Sequence, residues 1–293
     1  SLITRFDRRR ERRSGRHHRL SAIIGTLSGL RRNPVRNPSE SAALASPPTA
    51  IAELRRQLER LETPGAREDA LPFGVPCVDE HLPGGGLARG ELHEIIEGGP
   101  AGEYAAVATL FAAGILARLP GQVLWCLRGQ DLFGPALARV GLHPDRVIYC
   151  ETFKDRNVLP AMEEGLRCAG LAAVIGEATK LSLTASRRLK LCARHSGVTA
   201  LVLRRWRTAG ERVFTDEPNA ASTRWRVSPS APGPGAFDGL QRARWNIELL
   251  RARGGEPQSW ILEACDAQGC LALPAALAVR PAAAEEPRRA ASG

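Results

Sequence analysis

The chain is short of lysine: Lys154, Lys180 and Lys190 are three among 41 basic residues, and the rest are arginine. With so much arginine, alanine, glycine and proline, the imbalance reads as GC-rich coding bias before it reads as a selected basic surface. Cys-x-x-Cys spacing is missing as well. The seven cysteines stand at 77, 126, 150, 168, 192, 265 and 270, which excludes the paired spacings of zinc ribbons and thioredoxin-like redox sites. Their odd number and apolar surroundings predict reduced, buried thiols in a cytoplasmic protein. His81, His93, His143 and His195 are scattered without metal-ligand spacing, and neither a metal nor another cofactor is predicted. No apolar run approaches the ~20 residues that cross a membrane, and no secretory signal is present.

A working phosphate loop is also missing, at a place where the surrounding sequence prepares for one. The glycine turn Pro83-Gly84-Gly85-Gly86 leads towards an apolar strand, Glu91 to Glu97, that ends in Gly98-Gly99-Pro100. A phosphate loop would continue with glycines for close backbone approach, then Lys and Ser/Thr at the mouth of a helix. Here Ala101, Gly102, Glu103 and Tyr104 follow. A carboxylate repels polyphosphate, and a phenol is a poor substitute for the small hydroxyl that ligates magnesium. Gly99, Pro100, Gly102, Glu103 and Tyr104 therefore mark a degenerate nucleotide site, and the chain is predicted to bind rather than to catalyse.

The 293 residues, 43% hydrophobic and 25% charged, suffice for one large domain or two small ones. The net charge of +10 sits in one place: residues 1–36 hold eleven arginines against Asp7 and Glu11, so the remainder is near neutral. Residues 1–50 are predicted as a disordered basic, Pro/Ser-rich tail; a nucleic-acid or partner arm is the other reading. A helix is predicted over 51–65, with Ile51, Leu54, Leu58 and Leu61 on one face. It is too short for an independent coiled coil, so docking on the chain's own core and docking on a partner both stand. Residues 66–280 form the main domain, and 281–293 are a polar tail.

Within that domain strand and helix alternate. Strands are predicted at 91–97, 122–127, 146–150, 171–175 and 198–203. Helices are predicted at 101–118, 132–140, 158–169 (starting near Pro160) and 184–195. This repetition implies a mainly parallel sheet with helices on both faces. After Arg204 the texture becomes loop-like. Three β segments follow, at 223–227, 242–250 and 260–264, the last two joined as a hairpin through Arg253-Gly254-Gly255-Glu256.

From Leu71 to Arg207 the chain resembles the RecA-like core. The resemblance rests on Phe73-Gly74-Val75-Pro76-Cys77-Val78-Asp79 and on the glycine turn running through Leu87-Ala88-Arg89-Gly90-Glu91-Leu92-His93-Glu94-Ile95. It implies a three-layer αβα core with a mainly parallel sheet, here with a C-terminal antiparallel β extension. Against that family three ATPase elements are lost together: the Lys and Thr at Glu103 and Tyr104, the acid after the 122–127 strand, and the magnesium-associated Asp, where Gly176 stands and Glu177 follows. This combination, with Leu71-Pro72-Phe73-Gly74, Ser186-Arg187-Arg188-Leu189-Lys190-Leu191-Cys192-Ala193-Arg194, Trp225-Arg226 and Arg244-Trp245, is similar to the ImuA family. The resemblance implies an accessory role in SOS-induced error-prone translesion synthesis. It also implies partners: an ImuB-like Y-family polymerase homologue, an alternative C-family DNA polymerase, and RecA itself.

The segment from Arg204 to Arg226 lies where RecA-like proteins place a DNA-contacting loop. Arg204, Arg205, Trp206, Arg207, Arg224, Trp225 and Arg226 suit phosphate neutralisation with base stacking, so single-stranded DNA and a protein partner are both candidate contacts. Glu177 lies at the C-terminal end of a strand, where α/β sites gather. Two other readings compete. An ATP-dependent RecA-type recombination protein is opposed by Glu103, Tyr104 and Gly176. A SulA-like cell-division inhibitor is opposed by the long β-rich C-terminal part.

Overall fold

In a computed structural model the described residues are 70–100, 102–206, 217–231 and 242–274. The chain divides into two units, Phe6–Glu62 and the remainder, and every described residue belongs to the second. The expected tails at 1–50 and 281–293, and the expected helix carrying Ile51, Leu54, Leu58 and Leu61, lie outside the described residues.

The first described elements are short. Strand β1 (Ala70–Leu71) pairs antiparallel with β2 (Leu87–Ala88), and helix α1 (Pro76–Asp79) lies between them. The Asp79 carboxylate accepts from the backbone N–H groups of Phe73 and Gly74 at 2.6 and 2.9 Å. That contact seats Phe73 in the core, where its ring lies 6.0 Å from Phe111 and 5.2 Å from Trp225. The Leu-Pro-Phe-Gly motif is thus a packing device.

The main sheet follows. Strand β3 (Leu92–Glu97) is buried at all six positions, as expected of a strand covered on both faces. Helix α2 (Gly102–Ala117), β4 (Gln122–Leu127), α3 (Gly134–Arg139), β5 (Val147–Glu151), α4 (Asp155–Leu166), β6 (Leu171–Ala178), α5 (Leu183–Ser196) and β7 (Thr199–Arg204) continue the alternation. The chain closes with β8 (Thr223–Ser230), β9 (Arg244–Ala252) and β10 (Gln258–Glu263). The eight strands lie in the order β10-β9-β8-β3-β7-β6-β4-β5. Pairings from β8 through β5 are parallel, and β9 runs antiparallel to both β8 and β10. The chain therefore builds the expected three-layer αβα core with a mainly parallel sheet and an antiparallel C-terminal extension. One apolar layer lies under α2 and α3 and includes Phe111, Trp125 and Trp225; the other lies under α4 and α5 and includes Val158, Met162 and Leu189. No helix among the described residues is long and apolar enough to cross a membrane.

Three boundaries differ from expectation for physical reasons. Helix α4 begins at Asp155, ahead of Pro160, which lies inside it. The Asp155 carboxylate accepts from the N–H and the hydroxyl of Thr179 at 3.0 and 2.7 Å, and this tie to the end of β6 fixes the earlier start. Strand β6 runs on through Gly176 and Glu177 because both are paired with β7. Strand β8 continues through Pro229, which is tolerated because pairing with β3 has already ended at Val227.

His93 lies fully buried in β3. Its Nε2–H donates to the Ala88 carbonyl at 2.7 Å, and its Nδ1 accepts from the Thr223 hydroxyl at 2.8 Å. The Thr223 oxygen in turn accepts from the Trp225 indole N–H at 2.8 Å. This chain needs a neutral imidazole, and burial holds the His93 pKa down to about 4. An unfolded His93 titrates near 6.5, so between pH 6.5 and 4 the unfolded chain binds the extra proton and stability falls as pH falls. The expected loss across that window is about 3 kcal/mol. Urea denaturation of the wild type and His93→Gln at a series of pH values checks it: the wild-type slope should flatten in the variant.

Candidate functional site

The C-terminal edge of the parallel strands holds the residues expected to form a degenerate nucleotide site. After β3 the chain passes through Gly98, Gly99 and Pro100 into α2. The Tyr104 ring rests on the Gly99 backbone so closely that a Cβ on Gly99 would stand 2.8 Å from it. Gly98 packs still closer to Ser228 of β8, and its N–H donates to the Val227 carbonyl at 3.0 Å. The loop backbone is thus covered by the chain's own side chains on both flanks. Glu103 is exposed in the first turn of α2, where a carboxylate complements the positive helix terminus.

Behind the loop sits Arg205. Glu97 ends β3, Glu177 lies near the end of β6, and both are almost completely buried. Arg205, the residue after β7, places its guanidinium between them. Its Nη1 meets Glu97 Oε1 at 2.8 Å, while Nη2 and Nε meet the two Glu177 oxygens at 2.7 and 2.9 Å. Nη1 also reaches the Ala105 carbonyl of α2 at 3.3 Å. Two more donors saturate the carboxylates: the Trp206 backbone N–H on Glu97 at 2.6 Å and the Trp125 indole on Glu177 at 3.0 Å. Burial alone would lower the Arg205 pKa, but the hydrogen bonds and charges of Glu177 and Glu97 outweigh it and hold the guanidinium charged. Glu97 and Glu177 are the oxygen ligands a divalent cation would use here; both are committed to Arg205.

Gly176 needs correction as the counterpart of a magnesium-associated acid. It faces α4, where a Cβ would stand 2.3 Å from the Met162 sulfur. The position on the α2 side is Glu177.

The Arg/Trp segment needs correction too. Arg204, Arg224 and Trp225 are interior residues. Arg204 ends β7, and its Nη1 meets Glu94 Oε1 at 2.9 Å; Arg224 of β8 meets Glu94 Oε2 at 2.5 Å. Asn219 donates to the same oxygen at 2.7 Å, and Arg251 donates to Asn219 at 2.9 Å. A carboxylate buried in the middle of β3 requires such partners. Trp225 packs under α2 with Phe73 and Phe111. Arg226 is part-exposed and paired with Glu248 of β9 through its Nε at 2.9 Å. Trp206 is half-buried, and Arg207 lies outside the described residues.

Trp206, Arg205 and Glu97 border a cavity of about 460 Å³, walled on the other side by Leu110, Arg128 and Phe133. Sequence reasoning missed the rim of this edge. Phe133 after β4 and Phe153 after β5 are 70% and 66% exposed. Phe153 adopts the left-handed backbone region, φ 59°, which is unfavourable for an aromatic residue. Arg128, Lys154, Arg156 and Lys180 are exposed on the same strand-end loops and first helical turns. The Gln130 amide donates to Glu151 at 2.6 Å and binds the loop after β4 to the end of β5. The available signal was positional: each of these residues closely follows a parallel strand.

No family model matches the chain. It is 37% identical over 205 residues to Protein ImuA of Caulobacter vibrioides, in each of two strains, covering 67% of this chain and 84% of that protein. The crystal structure of the RadB recombinase is similar with a TM-score of 0.49 and 19% identity, over 70% of this chain and 99% of that one.

Removing the Arg205 charge should leave two buried carboxylates without a counter-ion. Arg205→Met is expected to cost about 3–5 kcal/mol of folding stability. Adding Glu97→Gln and Glu177→Gln to it should recover most of that loss. Urea denaturation of the three proteins checks both statements.

Proposed function

The chain belongs to the ImuA family, and from that premise we propose that it is a non-catalytic RecA-like accessory protein of damage-induced, error-prone translesion DNA synthesis. In this reading it is an adaptor that joins an ImuB-like Y-family polymerase homologue and an alternative C-family DNA polymerase, and it engages RecA. The observation that carries the reading is the Arg205 guanidinium between Glu97 and Glu177, with the Tyr104 ring laid on Gly99. A phosphoryl-transfer site works by positioning and by charge stabilisation through a metal and a lysine. Here an internal cation takes both acids, and the loop that would cradle phosphates is covered.

Calorimetry with ATP and magnesium tests this. No heat at millimolar nucleotide is expected, whereas micromolar binding would overturn the adaptor reading and reopen an ATP-dependent one. Glu103→Lys alone should produce no turnover in a phosphate-release assay, since it leaves Arg205, Glu97 and Glu177 as they are. Co-purification with the two polymerases tests the adaptor role directly.

Contact with single-stranded DNA, in this reading, uses the exposed rim and not the buried arginines. Phe133 and Phe153 offer stacking faces, and Arg128, Lys154, Arg156 and Lys180 offer phosphate partners. The double variant Phe133→Ala/Phe153→Ala is expected to weaken binding of a labelled thymidine oligonucleotide by ~10-fold or more, read by fluorescence anisotropy at fixed salt. Unchanged binding would remove the rim from the DNA contact.

A further inference from the structure

Strands β4 and β5 run parallel, and their register sets Cys126 opposite Cys150. Neighbouring strands lie about 4.8 Å apart, inside the roughly 4.4–6.8 Å that separates the Cα atoms of disulfide-linked cysteines. Register partners turn their side chains to the same face, here the apolar layer under α4. Cys126 is fully buried in that layer, and Cys150 packs against it from the margin. Cys150 itself is half-exposed. The neighbouring Cys126 thiol draws the Cys150 thiol down to about 7 against the opposing effect of burial, while Cys150, with burial, pushes Cys126 up. Among the described residues strand β5 is the outermost of the sheet and has β4 as its one neighbour there, so it can shift to bring the two sulfurs together.

We propose that Cys150 is a peroxide-reactive thiol with Cys126 as its resolving partner, and that oxidation closes a Cys126–Cys150 disulfide across β4 and β5. The Cys150 thiolate attacks one oxygen of hydrogen peroxide; the S–O bond forms, the O–O bond breaks and hydroxide leaves. The Cys126 sulfur then attacks the sulfenyl sulfur; the S–S bond forms, the S–O bond breaks, and the departing hydroxide takes the Cys126 proton as water. The two sulfurs together lose two electrons, and the peroxide gains them. The bond would pin the end of β5, from which Thr152 and Phe153 lead to the exposed rim.

All seven cysteines are free, and Cys168 is the exposed one. Accessibility alone therefore favours Cys168, and the proposal favours Cys150. The full chain is treated with hydrogen peroxide at about pH 7.5, quenched with N-ethylmaleimide and mapped by mass spectrometry. The expected product has lost two hydrogens, carries a Cys126–Cys150 linked peptide, and returns to the dithiol with dithiothreitol. It should form about 10-fold faster than any oxidation at Cys168. Cys126→Ser should leave a dimedone-reactive sulfenic acid at Cys150. First oxidation at Cys168, a linked peptide with another partner, or an unresolved sulfenic acid in the wild-type chain would each overturn the proposal. The wild-type map alone decides the matter should the variant fail to fold.

Discussion

The Arg205 guanidinium lies between Glu97 and Glu177, and through it the ends of β3, β6 and β7 are held in one arrangement. Two buried carboxylates at this edge require a counter-ion, and one guanidinium serves both. Each would otherwise carry a desolvation cost of several kcal/mol. The residue leaving β7 must therefore be cationic, and it must present donors in more than one direction. Arginine does so with a planar fork; a lysine ammonium would serve as a compact point charge and lose the two-point contact with Glu177. The same contact sets the course of the chain beyond β7. Once Arg205 is fixed, the Trp206 N–H falls on Glu97 and the indole becomes a wall of the cavity.

Strand geometry extends this logic to the opposite face. Successive residues point to opposite sides of a sheet, so Arg204 enters the α4–α5 side and Arg205 the α2 side. Each meets a buried glutamate of β3, Glu94 or Glu97, and these lie on opposite faces for the same reason. The tandem arginines are thus internal counter-ions on both sides of one strand. The residues left exposed at this edge are a different set, on the loops after β4, β5 and β6, where Phe133 and Phe153 stand among Arg128, Lys154 and Lys180.

Much of the frame was legible in the sequence. The alternation of apolar strands and amphipathic helices gives the parallel sheet, and Arg253-Gly254-Gly255-Glu256 gives the β9–β10 hairpin because Gly254 takes a left-handed turn conformation. The site was legible only in part: Glu103 and Tyr104 were read against a phosphate loop, and the cluster of Arg205 with Glu97 and Glu177 was not foreseen. Arg-Trp pairs read as a contact surface because composition ignores period-two alternation, which sends Trp225 under α2 and Arg224 to Glu94. Glu94 itself was unreadable as a buried charge, since its partners come from residues over a hundred positions away. The start of α4 failed similarly: Pro160 is a local signal, and the Asp155–Thr179 contact that overrides it is not.

Packing and charge also oppose each substitution that would bring phosphate-loop chemistry to this edge of the sheet. Restoring a lysine at Glu103 would bring a cation to a loop whose backbone is already covered by Tyr104. Restoring an acid at Gly176 would drive a side chain into Met162 and Val158, on the wrong side of β6 for the cavity. The acid that does face the cavity side, Glu177, is held by Arg205 and by the Trp125 indole. To release it, Arg205 must go, and then Glu97 and Glu177 repel each other in a buried site. Each single substitution of this kind is therefore opposed by packing or by charge. Arg205 with Glu97 and Glu177 forms an internal ion-pair cluster that ties the ends of β3, β6 and β7 together at the C-terminal edge of the sheet.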